Sequence, residues 1–233
     1  MSQTNYSNDS APYFNAFRPS EYTAAMVHVL EQDCRALRLD RVIDIGVGAG
    51  VFLAVLARLG AKELHGIDIS AEAVQASKAL LAVEAPQCQV NIKVGNMWED
   101  VAKDERFDLI VANLPHFPGR IARGEGRPDS WSGAGSELLL QYLDGLPNYL
   151  SDSGFAYMTL SDIVGAEHVF RRINDLGLEY KTVFMWTSTE SRERMQSVGD
   201  SWVKKESTSF RSYGGYHFLH ARILKINKLM KPA

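Results

Sequence analysis

The 233-residue chain carries two cysteines, Cys34 and Cys88. That number excludes a disulfide framework, and their spacing is not that of metal ligands, so two free thiols are expected. Positive charge is not in excess. Lys and Arg number 25 against 28 Asp and Glu, a formal net charge of −3. This lacks the basic balance of a dedicated nucleic-acid binder, and nucleic acid is not the expected partner. No uninterrupted apolar run approaches the ~20 residues of a membrane-spanning helix. The opening stretch MSQTNYSNDSAPYF has neither the basic nor the apolar region of a secretory signal. The expectation is a soluble, cytoplasmic chain with no membrane partner. Internal repeats and low-complexity segments are absent. His217 and His220 are oddly spaced on a predicted strand and fall on opposite faces, so no metal site is expected.

A composition of 45% hydrophobic and 23% charged residues suits one globular domain with a sizeable core. Short apolar runs alternate with helical patterns. RVIDIG, ELHGIDIS, QVNIKVGN, FDLIVANL, GFAYMTLS, YKTVFMWTS and YHFLHARILKI read as strands. Helices are predicted from Ser20 to Leu37, over GVFLAVLARLGA, after Ser70, over SELLLQYLDGLPNYL with an interruption or end near Pro147, and over GAEHVFRRINDLG. Strands that are continuously apolar and alternate with helices predict an α/β fold whose parallel sheet is covered on both faces. The polar stretch before the last strand makes an antiparallel last strand the expectation.

DIGVGAG joins the first strand to its helix. Gly46, Gly48 and Gly50 let the backbone turn tightly and approach a ligand. In a dinucleotide site the third glycine falls five residues after the first; here it falls four after. Asp44, just before the loop, would repel a pyrophosphate and suits a cationic ligand. Asp68 ends the second strand, where a carboxylate accepts hydrogen bonds from ribose hydroxyls.

VIDIGVGAG, GIDIS, VGNMWED and FDLIVANLPH occur in that order over residues 40–165. This ordered set resembles the class I S-adenosylmethionine-dependent methyltransferases. The resemblance implies a Rossmann-like, seven-stranded, mostly parallel sheet with an antiparallel last strand, and S-adenosyl-L-methionine as cofactor. It implies that Asp44 and the Gly46–Gly50 backbone lie beside the methionine moiety. Asp68 would hold the ribose, Ile69 would pack on the adenine, and Asn96, with Met97 as neighbour, would meet the adenine amino group. Gly50 serving helix–strand packing, and Asp68 serving as a helix N-terminal charge, are the plainer alternatives.

Asn113–His116, NLPH, occupies the place of the Asn-Pro-Pro-Tyr/Phe motif of the small-domain methyltransferases, a group that includes the release-factor glutamine methylases. In that motif the Asn oxygen and the next carbonyl accept hydrogen bonds from a planar NH2 group and aim its lone pair at the methyl. Asn113 and the Leu114 carbonyl would take these parts, with Asn113 also bordering the cofactor. Leu114 replaces a proline. His116 replaces the aromatic and is read as a base, a stacking ring or a turn residue. Phe117 would help form the stacking wall. FRPSEYT resembles the group's N-terminal segment, which gives residues 1–38 as a tail and helix covering the cofactor and 39–233 as the methyltransferase domain. Tyr13, Phe14 and Phe17 are candidates for one wall of the pocket.

The long loop Pro118–Gly135 carries Arg120, Arg123, Arg127 and Trp131, candidates for gripping an anionic acceptor. Fewer than about forty residues precede the first strand, where the glutamine methylases carry a recognition domain. The expectation drawn from this is N-methylation of a small-molecule metabolite. The alternatives are an N-methylase of ribosomal RNA or protein glutamine, and a cofactor-binding protein without catalysis.

Overall fold

The computed structural model describes residues 19–116, 135–190, 195 and 210–229. Its order is α1 (Glu21–Asp33), β1 (Arg41–Ile45), α2 (Val51–Arg58), β2 (Glu63–Asp68), α3 (Ala71–Glu84), β3 (Gln89–Val94), β4 (Phe107–Ala112), α4 (Glu137–Tyr149), β5 (Leu150–Ser161), a 3-10 turn (Asp162–Val164), α5 (Ala166–Asp175), β6 (Leu178–Glu190), β7 (Phe210–Tyr213) and β8 (Tyr216–Lys228). One sheet runs β3-β2-β1-β4-β5-β8-β6. β1 to β5 pair in parallel, and β8 lies antiparallel between β5 and β6. The strand order reverses at β1 and β4, which opens a crevice at their carboxyl ends.

Burial explains the strand code. β1 and β4 are buried almost throughout because helices cover both faces. On one face α4 and α5 pack Leu139, Tyr142, Leu143, Leu146, Val169 and Ile173 against Ile43, Ile110 and Met158. On the other, α1, α2 and α3 pack Met26, Leu30, Leu53, Leu56 and Leu81 against Val42, Leu64 and Tyr157. Ser20 caps α1 in a reciprocal box with Thr23. Ser70 caps α3 by accepting from the Ala73 N–H at 3.2 Å. α1 is tied down at both ends. Glu21 accepts a hydrogen bond from Ser188, and Asp33 accepts one from the Tyr157 hydroxyl at 2.8 Å with Lys225 3.4 Å away. Cys34 and Cys88 are free thiols.

Three details depart from the sequence expectation. α1 stops at Asp33 rather than Leu37. α4 runs through Pro147 to Tyr149. The proline sits in the last turn, so it forfeits one donor, while Leu146 and Tyr149 stay anchored in the core. β7 is an eighth strand that the hydrophobic pattern did not reveal; it pairs with β8 through a two-residue Gly214–Gly215 turn.

Candidate active site

The crevice is built from the carboxyl ends of β3, β2, β1, β4 and β5. Asp44, Gly46, Gly48, Asp68 and Asn113 come together there because β2 and β4 flank β1 directly.

Asp44 is 1% exposed, and both of its carboxylate oxygens are buried without a hydrogen-bond partner. Burial, and then the charge of Asp68, push its carboxyl well above the usual carboxylate range. A buried, unpartnered acid costs stability unless a ligand completes it. A cation is the natural complement, so the residue fits a sulfonium or ammonium group and not a pyrophosphate.

The glycine loop is fixed from β2. The N–H groups of Gly46 and Val47 both donate to the Ile67 carbonyl, at 2.8 and 3.0 Å. The Gly48 N–H donates to Asp68 Oδ2 at 2.9 Å, and the Ser70 N–H donates to Asp68 Oδ1 at 2.9 Å. Asp68 is thus held between the glycine loop and the start of α3. Gly46 has φ +78°, and a Cβ on it would lie 2.9 Å from Leu114 Cδ2. The two loops of the crevice are therefore in contact through that glycine. Gly50, at φ +84°, faces α3 instead, and a Cβ there would lie 2.9 Å from Ser77 Cβ. Close packing of α2 on α3 alone would require a small residue there.

Ile69 is 79% exposed beside Asp68, an apolar side chain open to a ligand. Asn96 is exposed, and its amide donates to Glu99 Oε1 at 2.9 Å. Met97 adopts a left-handed φ of 51°, a conformation uncommon for a side chain with Cβ substituents. Trp98 accounts for its persistence. The indole stacks on Tyr149 at 4.7 Å and donates to the Gln141 and Tyr142 carbonyls of α4. Gly145 leaves the room, since a Cβ on it would collide with the indole. Trp98 was not among the expected site residues; its place inside VGNMWED was the available signal.

Asn113 is half-buried at the end of β4, and its Oδ1 accepts a hydrogen bond from Thr159 Oγ1 at 2.7 Å. Thr159 is fully buried on β5 and sets the orientation of the amide. Nothing in the sequence announces this pair, whose members lie 46 residues apart. Leu114 is buried and Pro115 half-buried. His116 is buried too, and its Nδ1 lies 2.7 Å from the Leu114 carbonyl oxygen. A carbonyl only accepts, so Nδ1 carries the proton. Tyr22, from the start of α1, packs edge-on against this imidazole at 5.5 Å and against Trp186 at 5.2 Å. Burial raises the Tyr22 phenol, with Glu190 and Glu21 adding to the effect. Phe117, Arg120, Arg123, Arg127 and Trp131 lie outside the described residues, as do Tyr13, Phe14 and Phe17. Among the described residues no His, Cys, Asp and Glu cluster could hold a metal, and no helix is long and apolar enough to cross a membrane.

Residues 21–115 match the ribosomal protein L11 methyltransferase family. The ribosomal protein L11 methyltransferase of Lactobacillus johnsonii is 27% identical over 139 residues, 60% of this chain and 37% of the relative. The chain therefore spans little more than a third of that relative's length. A provisionally named protein N5-glutamine methyltransferase of Methanocaldococcus jannaschii is 29% identical over 147 residues, 59% of this chain and 70% of the relative. The ribosomal RNA small subunit methyltransferase C of Serratia proteamaculans is 39% identical over 80 residues, 34% of this chain and 22% of the relative. Among solved structures, the E. cuniculi complex responsible for methylation of the eRF1 translation termination factor superposes with a TM-score of 0.59 at 17% identity, covering 91% of this chain and 98% of that chain. This is the Rossmann-like methyltransferase fold. Its cofactor is S-adenosyl-L-methionine, as the resemblance implied, and the unpartnered Asp44 and the glycine turn fit that group.

The acceptor expectation is overturned. These relatives are named for a ribosomal protein, a ribosomal RNA and protein glutamine, so the comparisons point to a macromolecule and not to a small metabolite. The short N-terminal region misled because it was taken to leave no room for a recognition element.

Proposed function

We propose that the chain is a cytoplasmic S-adenosylmethionine-dependent N-methyltransferase that modifies a protein, with Asn113 and the Leu114 carbonyl receiving the acceptor nitrogen. The observation that carries the reading is the Asn113 amide, held by Thr159 at 2.7 Å one strand away from the unpartnered carboxylate of Asp44. When bound, the cofactor supplies an electrophilic methyl on a sulfonium. Asp44 complements the positive charge, Asp68 receives the ribose hydroxyls, and the Gly46–Gly50 turn lets the backbone come close. Ile69 and Asn96 border the base, with α1 closing the crevice from the side of residues 1–38. At the acceptor end, the Asn113 oxygen and the Leu114 carbonyl accept from the nitrogen and direct its lone pair. The cofactor would supply its methyl to that nitrogen, which would give up a proton in exchange. His116 holds the Leu114 carbonyl from within the turn and so positions it.

Protein is favoured over RNA by the comparisons. The relative matched over the larger share of its own length is the provisionally named protein glutamine methyltransferase. The small-subunit RNA relative supports ribosomal RNA as a second reading. Incubation with methyl-tritiated cofactor and, separately, total ribosomal protein and deproteinised ribosomal RNA separates them. Label in the protein fraction is expected; label in RNA alone would overturn the protein reading.

A further inference from the structure

The catalytic turn belongs to one face of the sheet. Leu109 and Val111 of β4 lie in the core under α1, α2 and α3, and the two-residue alternation of a strand carries Asn113 to the same side. Thr159, which holds the Asn113 amide, lies two residues before Ser161 on β5. Ser161 pairs with Ala221 of β8, and Ala221 pairs with Trp186 of β6. Residues directly opposite in an antiparallel pair point the same way. Asn113, Thr159, Ser161 and Trp186 therefore share the α1 face, and Trp186 packs on that core.

Tyr22 is the side chain that α1 sends to this place. Its half-buried ring meets His116 edge-on at 5.5 Å and 72°, and Trp186 edge-on at 5.2 Å and 74°. It is wedged between the catalytic turn and β6. The Ser161 and Ser188 hydroxyls border its phenol. The helix end that carries it is held firmly. The Ser20 N–H donates to Thr23 Oγ1 at 3.2 Å, and the Thr23 N–H donates to Ser20 Oγ at 3.4 Å. Glu21 accepts from Ser188 on β6.

His116 is the part of the turn that needs such a neighbour. Its Nδ1 reaches the Leu114 carbonyl at 2.7 Å, across two residues of its own turn. An imidazole has two side-chain torsions and two nitrogens, and one local bond does not by itself select among its orientations. An edge-on aromatic contact has a preferred geometry and does select. The turn carries an imidazole where the resembling motif carries an aromatic ring, and α1 brings an aromatic ring to it.

We infer that Tyr22 is a positioning residue for methyl transfer: its edge contact fixes the His116 ring, and through that ring the Leu114 carbonyl, where the acceptor nitrogen is received. The inference rests on the reading above, in which that carbonyl and Asn113 receive the nitrogen. The ring makes the contact, so phenylalanine should serve in place of tyrosine.

Single-turnover labelling of total ribosomal protein at saturating methyl-tritiated cofactor tests this, with calorimetry against S-adenosylhomocysteine on each variant. Tyr22→Leu is expected to slow transfer by about tenfold to a hundredfold, the scale of a slight misplacement at a reacting centre, at unchanged calorimetric affinity. Tyr22→Phe is expected to keep about half of the rate or more. Asp33→Ala loosens the far end of α1, where Tyr157 and Lys225 hold it, and leaves the ring contacts alone; it too is expected to keep about half of the rate or more. A wild-type rate in Tyr22→Leu, or Asp33→Ala as slow as Tyr22→Leu, would overturn the inference and leave the acceptor reading standing. No labelling by wild type would overturn that reading and the inference with it. Nitrogen NMR of the His116 ring is independent of the acceptor. Wild type is expected to show the Nδ1-protonated tautomer alone, and Tyr22→Leu a mixture. A mixture already present in wild type, or the single tautomer persisting in Tyr22→Leu, would overturn the inference.

Discussion

The two halves of the sheet are built differently. β1, β2 and β3 are 5 or 6 residues long and pair in parallel. Their loops are pinned by backbone bonds to Asp68 and Ile67. β5, β6 and β8 run 12 or 13 residues, pair antiparallel through β8, and carry β7 beyond the rim. We read the first half as the cofactor side of the crevice and the second, which carries Thr159, as the acceptor side. On this account, damage to the first half weakens cofactor binding, and damage to the second stops transfer while the cofactor stays bound.

The largest expected effect comes from Asn113→Ala. Loss of a positioned hydrogen-bonding group at the reacting centre costs about 10²–10³ in rate, while S-adenosylhomocysteine affinity stays within about twofold. Single-turnover labelling and calorimetry read the two quantities. Asp68→Ala acts in the other half and weakens S-adenosylhomocysteine binding by roughly 1–3 kcal/mol, the scale of a lost hydrogen bond to a charged group.

Asp44→Asn tests the buried acid. Its carboxyl titrates well above its unfolded range because of burial and Asp68. A raised folded pKa favours the fold below the unfolded value of about 3.9, and that contribution is lost as pH rises toward the folded pKa. Without cofactor, denaturant unfolding should therefore show Asp44→Asn gaining on wild type as pH rises above the unfolded value. A constant difference between the two would remove the burial argument. The smallest effect belongs to Thr159→Val, which removes the hydroxyl that orients Asn113. Loss of one neutral hydrogen bond, ~0.5–1.5 kcal/mol, predicts a two- to tenfold slower transfer, with Thr159→Ser restoring it. Equal rates in all three proteins would show that Asn113 needs no such support.

Legibility in the sequence follows the same division. The cofactor half was readable because its information is local. Apolar runs gave β1, β2 and β4, Ser70 gave the cap of α3, and DIGVGAG followed by GIDIS gave the crevice. The acceptor half depends on contacts distant in sequence. The insertion of β8 between β5 and β6 is a topological fact with no hydrophobic signature. β7 is too short to show a period, and Thr159 meets Asn113 only because β4 and β5 pair. Pro147 reads as a helix end from local rules, yet the burial of Leu146 and Tyr149 carries α4 past it. The acceptor was misjudged for a related reason: chain length before β1 does not report what the assembled crevice receives.

The division of labour is tested most directly by measuring single-turnover labelling of ribosomal protein by Asp68→Ala and Asn113→Ala across a rising concentration of cofactor. The account predicts that Asp68→Ala approaches the wild-type rate once cofactor saturates, and that Asn113→Ala stays about 10²-fold or more below it at every concentration. Recovery of Asn113→Ala at high cofactor, or failure of Asp68→Ala to recover, would contradict it.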